Sequence, residues 1–367
     1  MDSNHHAADV TPHVRSNIQR RKKLNHKDKE LIKKKLVKSG TVFIIEFFKQ
    51  WKAFKEKKPN VTNAYFVEVL HCIFFLGYIH ERQDKKKPIE PREFFSSDGI
   101  YERFQKLFPQ AFEQYRTHWP TRTPFSILLD LVTKWKGCSN HTAILKHLED
   151  IRKGMVVDKN KDDQCENNYC LVASVISVCY FQEDMKRSSP IYYGASLSCS
   201  GRVETQVMIT LSCIKTWNDA VAHAVWHGKS GNIIRLPNGV ICMAYKMKLP
   251  RGSYLEESPC VKCHRIFQNI DFIPVYTESD KTQDWHYGNC AENESLSNLL
   301  NGEERVRNET VAYRHYEEQD SHSLQEQVPL DRAEIVNQAK KKAAQLLNSR
   351  GFKIKDDEIE SKFFHPN

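Results

Sequence analysis

Apolar residues between Thr41 and about Arg152 recur every three or four positions. Phe43, Ile44, Phe47, Phe48 and Trp51 form one stripe, and Phe66, Val69, Leu70, Ile73 and Phe74 form another. This is the spacing of helices that bury one face. Pro88, Pro91, Pro109, Pro120 and Pro124 punctuate the region, and Ile127 to His147 reads as one or two further helices. Residues 41–155 are therefore expected to form a helical domain that serves packing or binds a protein partner. After a polar loop from Asp158 to Asn168 the pattern changes. Cys170 to Phe181 and Ile191 to Leu197, joined through Ser188-Ser189-Pro190, are short and rich in Val, Ile and Tyr, as buried strands are. Val203 to Trp226 returns to helical spacing, Val240 to Leu249 to strand composition, and Cys260 to Ile270 reads as a helix. Phe272 to Tyr276 follows as a strand and Asn289 to Leu300 as a helix. Strands and helices mix over residues 165–305, which predicts an α/β layered domain behind the helical region. Residues 306–367 read as a charged linker and a last helix, from about Asp331 to Asn348, that Gly351 ends.

The chain has 367 residues and a formal charge of +9. That excess is local: residues 1–60 hold 16 Lys+Arg against 6 Asp+Glu, which leaves 39 against 40 for the rest. Residues 1–40, with Arg20-Arg21-Lys22-Lys23 and Lys33-Lys34-Lys35, are expected to be a basic tail that is flexible or forms a solvated helix. Such a tail serves nuclear import, polyanion binding or solubility. Any site further along must be built without its charge. The most apolar window, Ala64 to Ile79, is interrupted by Glu68 and His71 and suits a buried helix better than a membrane span, so no membrane partner is expected. Met1 to Thr11 is polar and His-rich, without the apolar run of a signal peptide. Eleven cysteines, an odd number, then favour reduced thiols and metal ligation in a cytoplasmic or nuclear protein.

The chemistry concentrates in two short motifs. Ser258-Pro259-Cys260-Val261-Lys262-Cys263 places two thiols at a helix start, where both sulfurs can face one point. A lone pair of this kind also serves as a redox dithiol or as half of a structural zinc site. Gly288-Asn289-Cys290-Ala291-Glu292 then places a third thiol at another helix start, with a carboxylate in the same turn. Three protein ligands, an open fourth position and a nearby carboxylate make up the usual catalytic zinc arrangement.

Together these motifs resemble the zinc-dependent cytidine deaminase superfamily, which joins a Pro-Cys-x-x-Cys helix start to a Cys-Ala-Glu or His-x-Glu helix start. The resemblance implies a deaminase-like layered domain over residues 165–305, with zinc held by Cys260, Cys263 and Cys290. It also implies that Glu292 shuttles a proton to the leaving amine of an aminated base, in a free nucleoside or in nucleic acid. In that family the Cys-Ala-Glu helix comes first, whereas in this chain it follows the Pro-Cys-x-x-Cys helix.

A second register keeps the family order by reading Arg202-Val203-Glu204 as the first metal helix. Arginine stays protonated and cannot ligate zinc, so this register needs Cys199 as a substitute or describes a domain without catalytic metal. His286 and His264 stand near the thiols in sequence and offer a fourth ligand or an outer partner. With a fourth ligand the site would be closed and structural, in a non-enzymatic interaction protein. A basic-tail nucleic-acid binder with an incidental thiol cluster is the third reading. His223 and His227 share a helical face without a glutamate between them and suit packing, as Cys165 and Cys170 suit a loop and a core.

Overall fold

A computed structural model describes residues 26–58, 62–80, 88–137, 139–155, 171–184, 186–199, 201–248, 252–278, 283–316 and 324–366. The Arg20 to Lys23 run, Cys165 and Cys170 lie outside the described residues.

The first part is helical: α1 (His26–Lys57), α2 (Ala64–Ile79), α3 (Asp98–Leu107), α4 (Pro109–Gln114), α5 (Pro124–Lys136) and α6 (His141–Gly154). Helix α2 is apolar almost all round, which suits a central helix better than a surface one, and twelve of its sixteen residues are buried. Phe66 stands among Phe48, Trp51, Phe104 and Phe108, with ring centroids 4.9–5.6 Å apart. Helix starts carry their own caps: the Ser97 hydroxyl accepts from the Ile100 amide, and the Asn140 side chain accepts from Ala143. Residues from His26 onward belong to α1 and Leu36 is buried, so the helical part of the basic segment begins at His26 and is packed at Leu36. Apolar Leu36 and Val37 continue the helical spacing beneath the dense lysines.

The second part mixes strands and helices: β1 (Val175–Glu183), β2 (Lys186–Arg187), β3 (Tyr192–Ala195), α7 (Arg202–Lys215), α8 (Asp219–His227), β4 (Asn232–Arg235), β5 (Val240–Lys248), β6 (Ser253–Glu257), α9 (Val261–Ile266), β7 (Phe267–Gln268), β8 (Asp271–Ile273), α10 (Ala291–Gly302), α11 (Glu304–Glu309), β9 (Val311–Tyr316), β10 (Leu324–Val328) and α12 (Arg332–Ser349). The protein is α/β, with a helical N-terminal region followed by a sheet-containing region. One sheet runs β2-β1-β5-β6, with β3 also on β1 and β8 on β5; the other runs β10-β9-β4-β7. Strand β5 is antiparallel to β1, with Val178 opposite Met243, and parallel to β8, with Cys242 opposite Phe272.

Helix α10 lies on β1 and β3. Contact is so close that a Cβ on Gly194 would run into the Ser295 amide nitrogen and the Ala291 carbonyl oxygen. The buried Ser295 of α10 finds partners in the sheet: its Oγ lies 2.8 Å from Ser177 Oγ and 3.0 Å from Cys179 Sγ.

Two expectations need correction. Residues 311–316, placed in a charged linker, form β9 and pair with β4. The helix expected from Cys260 to Ile270 is limited to Val261–Ile266, because Phe267 is drawn into pairing with β4 as β7. The helical spacing from Val203 to Trp226 is realised as two helices, broken before the Asn218 side chain caps α8. The tail returns to the helical region, where Trp119 donates its amide to Lys362 and its indole N–H to Ile359, and Phe364 stacks on His71 at 3.7 Å. No helix among the described residues is long and apolar enough to cross a membrane.

Three buried histidines tie this packing to pH. Burial lowers His71 to about 3 and, with help from Arg350 and from His227 respectively, lowers His80 and His223 to about 4. The folded chain holds them neutral, whereas the unfolded chain takes up protons near 6.5. Their contribution is therefore complete above the unfolded value and is lost as pH falls toward the folded one. Calorimetry should find the melting temperature falling steadily from pH 7.5 to 5, before most carboxylates titrate; a flat or rising profile over that interval contradicts this assignment.

Candidate functional site

The site forms where two helix starts meet beneath β5. Strand β6 leads through Ser258-Pro259 to Cys260, the N-cap of α9, whose Sγ accepts from the Cys263 amide at 3.5 Å. Chain direction then reverses through β7 and β8 and returns to Cys290, the N-cap of α10. Gly288 makes the last turn at φ +90°. A side chain there would press on Ile209, Trp217 and Val225, and few residues besides glycine reach that backbone region. The Leu197 amide donates to the Asn289 carbonyl at 3.0 Å and fixes this turn to the end of β3.

The three sulfurs converge. Cys260 Sγ lies 3.5 Å from Cys290 Sγ, and the Cys260, Cys263 and Cys290 sulfurs all lie within 4.8 Å of one another. Such a group could hold a metal ion, and among the described residues it is the only cluster of three or more His, Cys, Asp or Glu that does so. Cys263 is buried and the other two are half-buried. Hydrogen bonds from the Cys263 and Cys290 thiols draw Cys260 down to about 3, while the same bonds hold Cys263 and Cys290 well above the thiol range. Without metal, one negative charge is shared among three sulfurs; a metal ion would take all three as thiolates.

Glu292 stands in the first turn of α10, 4% exposed. Burial first, and the charge on Cys260 second, push its carboxyl up to about 7, and it lies within hydrogen-bonding reach of Cys263. Its Oε2 is buried without a hydrogen-bond partner. A carboxylate oxygen left unpaired in a closed space is costly unless something fills that space, and a metal with a bound water would do so. The residues thus fit a thiophilic metal ion in an arrangement that leaves the carboxylate facing the centre.

The remaining candidates lie apart from the sulfurs. His264 stacks on the Tyr276 ring at 4.0 Å, and His286 Nε2 accepts from Arg202 Nε at 3.2 Å with Gln206 Nε2 3.1 Å away. Neither joins the metal-ligand group. Glu204 is buried at the start of α7 in an ion pair with Arg350 at 3.3 Å, with His80 at 3.9 Å, while Cys199 Sγ lies 3.5 Å from Thr205 Oγ1 and is pushed up to about 12 by burial. That register has no thiol cluster around it among the described residues. His223 lies 3.2 Å from the Asn232 side-chain nitrogen and packs against His227.

One supporting residue was not anticipated from the sequence. Lys262 donates to the backbone carbonyls of Gln283, at 3.0 Å, and Trp285, and so ties the 283–287 segment to α9 beside the thiols. Only its place within the Cys-x-x-Cys pair hints at this role.

Purified protein should carry about one equivalent of metal by elemental analysis. Replacing Cys260, Cys263 or Cys290 with Ser should lower that at least tenfold, whereas His264→Ala and His286→Ala should keep it. Retention by the cysteine variants, or loss with either histidine, contradicts the three-thiol assignment. No family model, no curated protein and no solved structure matches the chain.

Proposed function

We propose that Cys260, Cys263 and Cys290 hold a zinc ion and that the protein is a hydrolytic deaminase acting on an aminated nucleobase. The observation that carries this reading is Glu292, a buried carboxylate with one unpartnered oxygen beside three convergent thiols. Zinc held there would lower the pKa of a bound water toward neutrality, and among the described residues no fourth protein ligand joins the three thiols.

The chain's own residues do the rest. Glu292 takes a proton from the attacking water and returns it to the departing amino group, so ammonia leaves and an oxygen replaces it on the ring. A carboxyl raised toward neutrality by its closed surroundings suits both directions of that transfer. The Lys262 tether and the Gly288 turn keep the two helix starts at a fixed separation. The inverted order of the motifs is no obstacle, since a shared centre requires convergence in space and not a given order along the chain.

A closed, purely structural zinc site would need a fourth ligand. His264 and His286, the nearest candidates in sequence, are engaged elsewhere. The near balance of charge beyond residue 60 favours a nucleoside or a short single strand over a long duplex, since a duplex groove demands many Lys and Arg. The basic N-terminal residues would then add only nonspecific attraction to nucleic acid.

Ammonia release measured over free cytosine and adenine nucleosides and single-stranded oligonucleotides should identify a substrate. Glu292→Gln should abolish that release by at least about a hundredfold while keeping metal content and melting temperature. Deamination that survives the substitution would remove Glu292 from the chemistry, and failure of every aminated base would reject the deaminase reading.

A further inference from the structure

A cavity of about 660 Å³ lies between the helical region and the α/β region and borders the thiol centre at Cys290. That volume falls within the roughly 300–1,000 Å³ of small-molecule sites. Its walls come from α5 and the segment before it, from β3, from the end of α7 and from α10. On α10, Cys290, Glu294 and Asn298 line it, four residues apart and on one face. Glu292 is two positions from Cys290 and does not line it. The cavity therefore meets the thiol centre at Cys290 and not at the carboxylate proposed to move protons.

Charge in the walls is unequal. Arg122 donates through Nε and Nη2 to the two oxygens of Glu68, at 2.8 Å each, and through Nη1 to Asp130 Oδ2 at 2.8 Å. Lys134 and the Tyr65 hydroxyl also donate to Asp130 Oδ2, at 3.2 and 2.9 Å. Two bases thus neutralise two acids. Glu294 is the third acid and has no base of its own: its Oε2 accepts from the Ala195 amide at 2.8 Å and the Ser126 hydroxyl at 2.9 Å, and no described group donates to Oε1. Burial raises this carboxyl's proton affinity, while the Ala195 amide, the Ser126 hydroxyl and the Arg122 charge pull it the other way. The rest of the lining includes apolar surface from Leu129, Ile191, Leu197 and Trp217.

We infer that this cavity is a binding site for a small organic cation, with a primary ammonium or guanidinium group on Glu294 Oε1 and an aromatic or aliphatic body against Trp217, Ile191 and Leu197. An anion would meet an unpaired carboxylate without a free base to receive it. A neutral ligand would fill the apolar wall and leave Oε1 without the charge-assisted hydrogen bond that a cation supplies. The inference stands on the cavity and on Glu294, and it holds whether or not the thiol centre is a deaminase.

Titration calorimetry on the full-length, metal-loaded protein tests it with tyramine and agmatine as cations, 4-ethylphenol as the neutral analogue and 4-hydroxyphenylacetate as the anion. At least one cation should bind about tenfold more tightly than 4-ethylphenol or better, and the anion should give no heat of binding. Glu294→Gln should erase that preference while metal content and melting temperature stay as in the wild type. The cavity is only a packing void if neither cation binds. Equal affinity for 4-ethylphenol, or a preference that survives Glu294→Gln, also overturns the inference; should that variant not fold, the wild-type series decides alone.

Discussion

Packing of α10 against β1 and β3 is the contact on which the rest of the arrangement depends. Its backbone approaches β3 so closely that Gly194 cannot carry a side chain, and its buried Ser295 is satisfied by Ser177 and Cys179 within the sheet. This contact places Cys290 opposite the start of α9 and turns Glu292 toward the sulfurs. It equally turns Glu294 away from them. A shift of α10 by one residue would rotate each of these groups by about 100° and dissolve both environments.

The two faces of that helix illustrate how the same side chain acquires different chemistry. Glu292 has a raised proton affinity because burial and the Cys260 charge both oppose ionisation. Glu294 is also raised by burial, but a backbone amide, a hydroxyl and the Arg122 charge pull it the other way. One carboxyl is suited to exchanging protons, and the other to holding a positive partner. Both effects begin from burial of the carboxyl and differ in the neighbours each one meets.

Much of the fold was legible from periodicity. The stripes through α1 and α2, the Val and Ile runs of β1 and β5, and the amphipathic α12 all gave signals longer than a few residues. Short elements did not. β4, β7 and β9 owe their pairing to one another, and Phe267 changes from helix to strand because Ile234 lies beside it. The thiol centre was readable because Cys-x-x-Cys and Cys-Ala-Glu each constrain a single helix start. The cavity was not, since Arg122, Trp217 and Glu294 meet only through tertiary packing. His264 and His286 stand near the thiols in sequence, and their rings meet Tyr276 and Arg202.

The central claim is that three thiols and no fourth protein side chain hold one metal ion. X-ray absorption at the zinc edge of the loaded protein measures this directly. Three sulfur neighbours at about 2.3 Å and one oxygen at about 2.0 Å are predicted. Four sulfur neighbours, or three with an imidazole nitrogen in the fourth place, would contradict it.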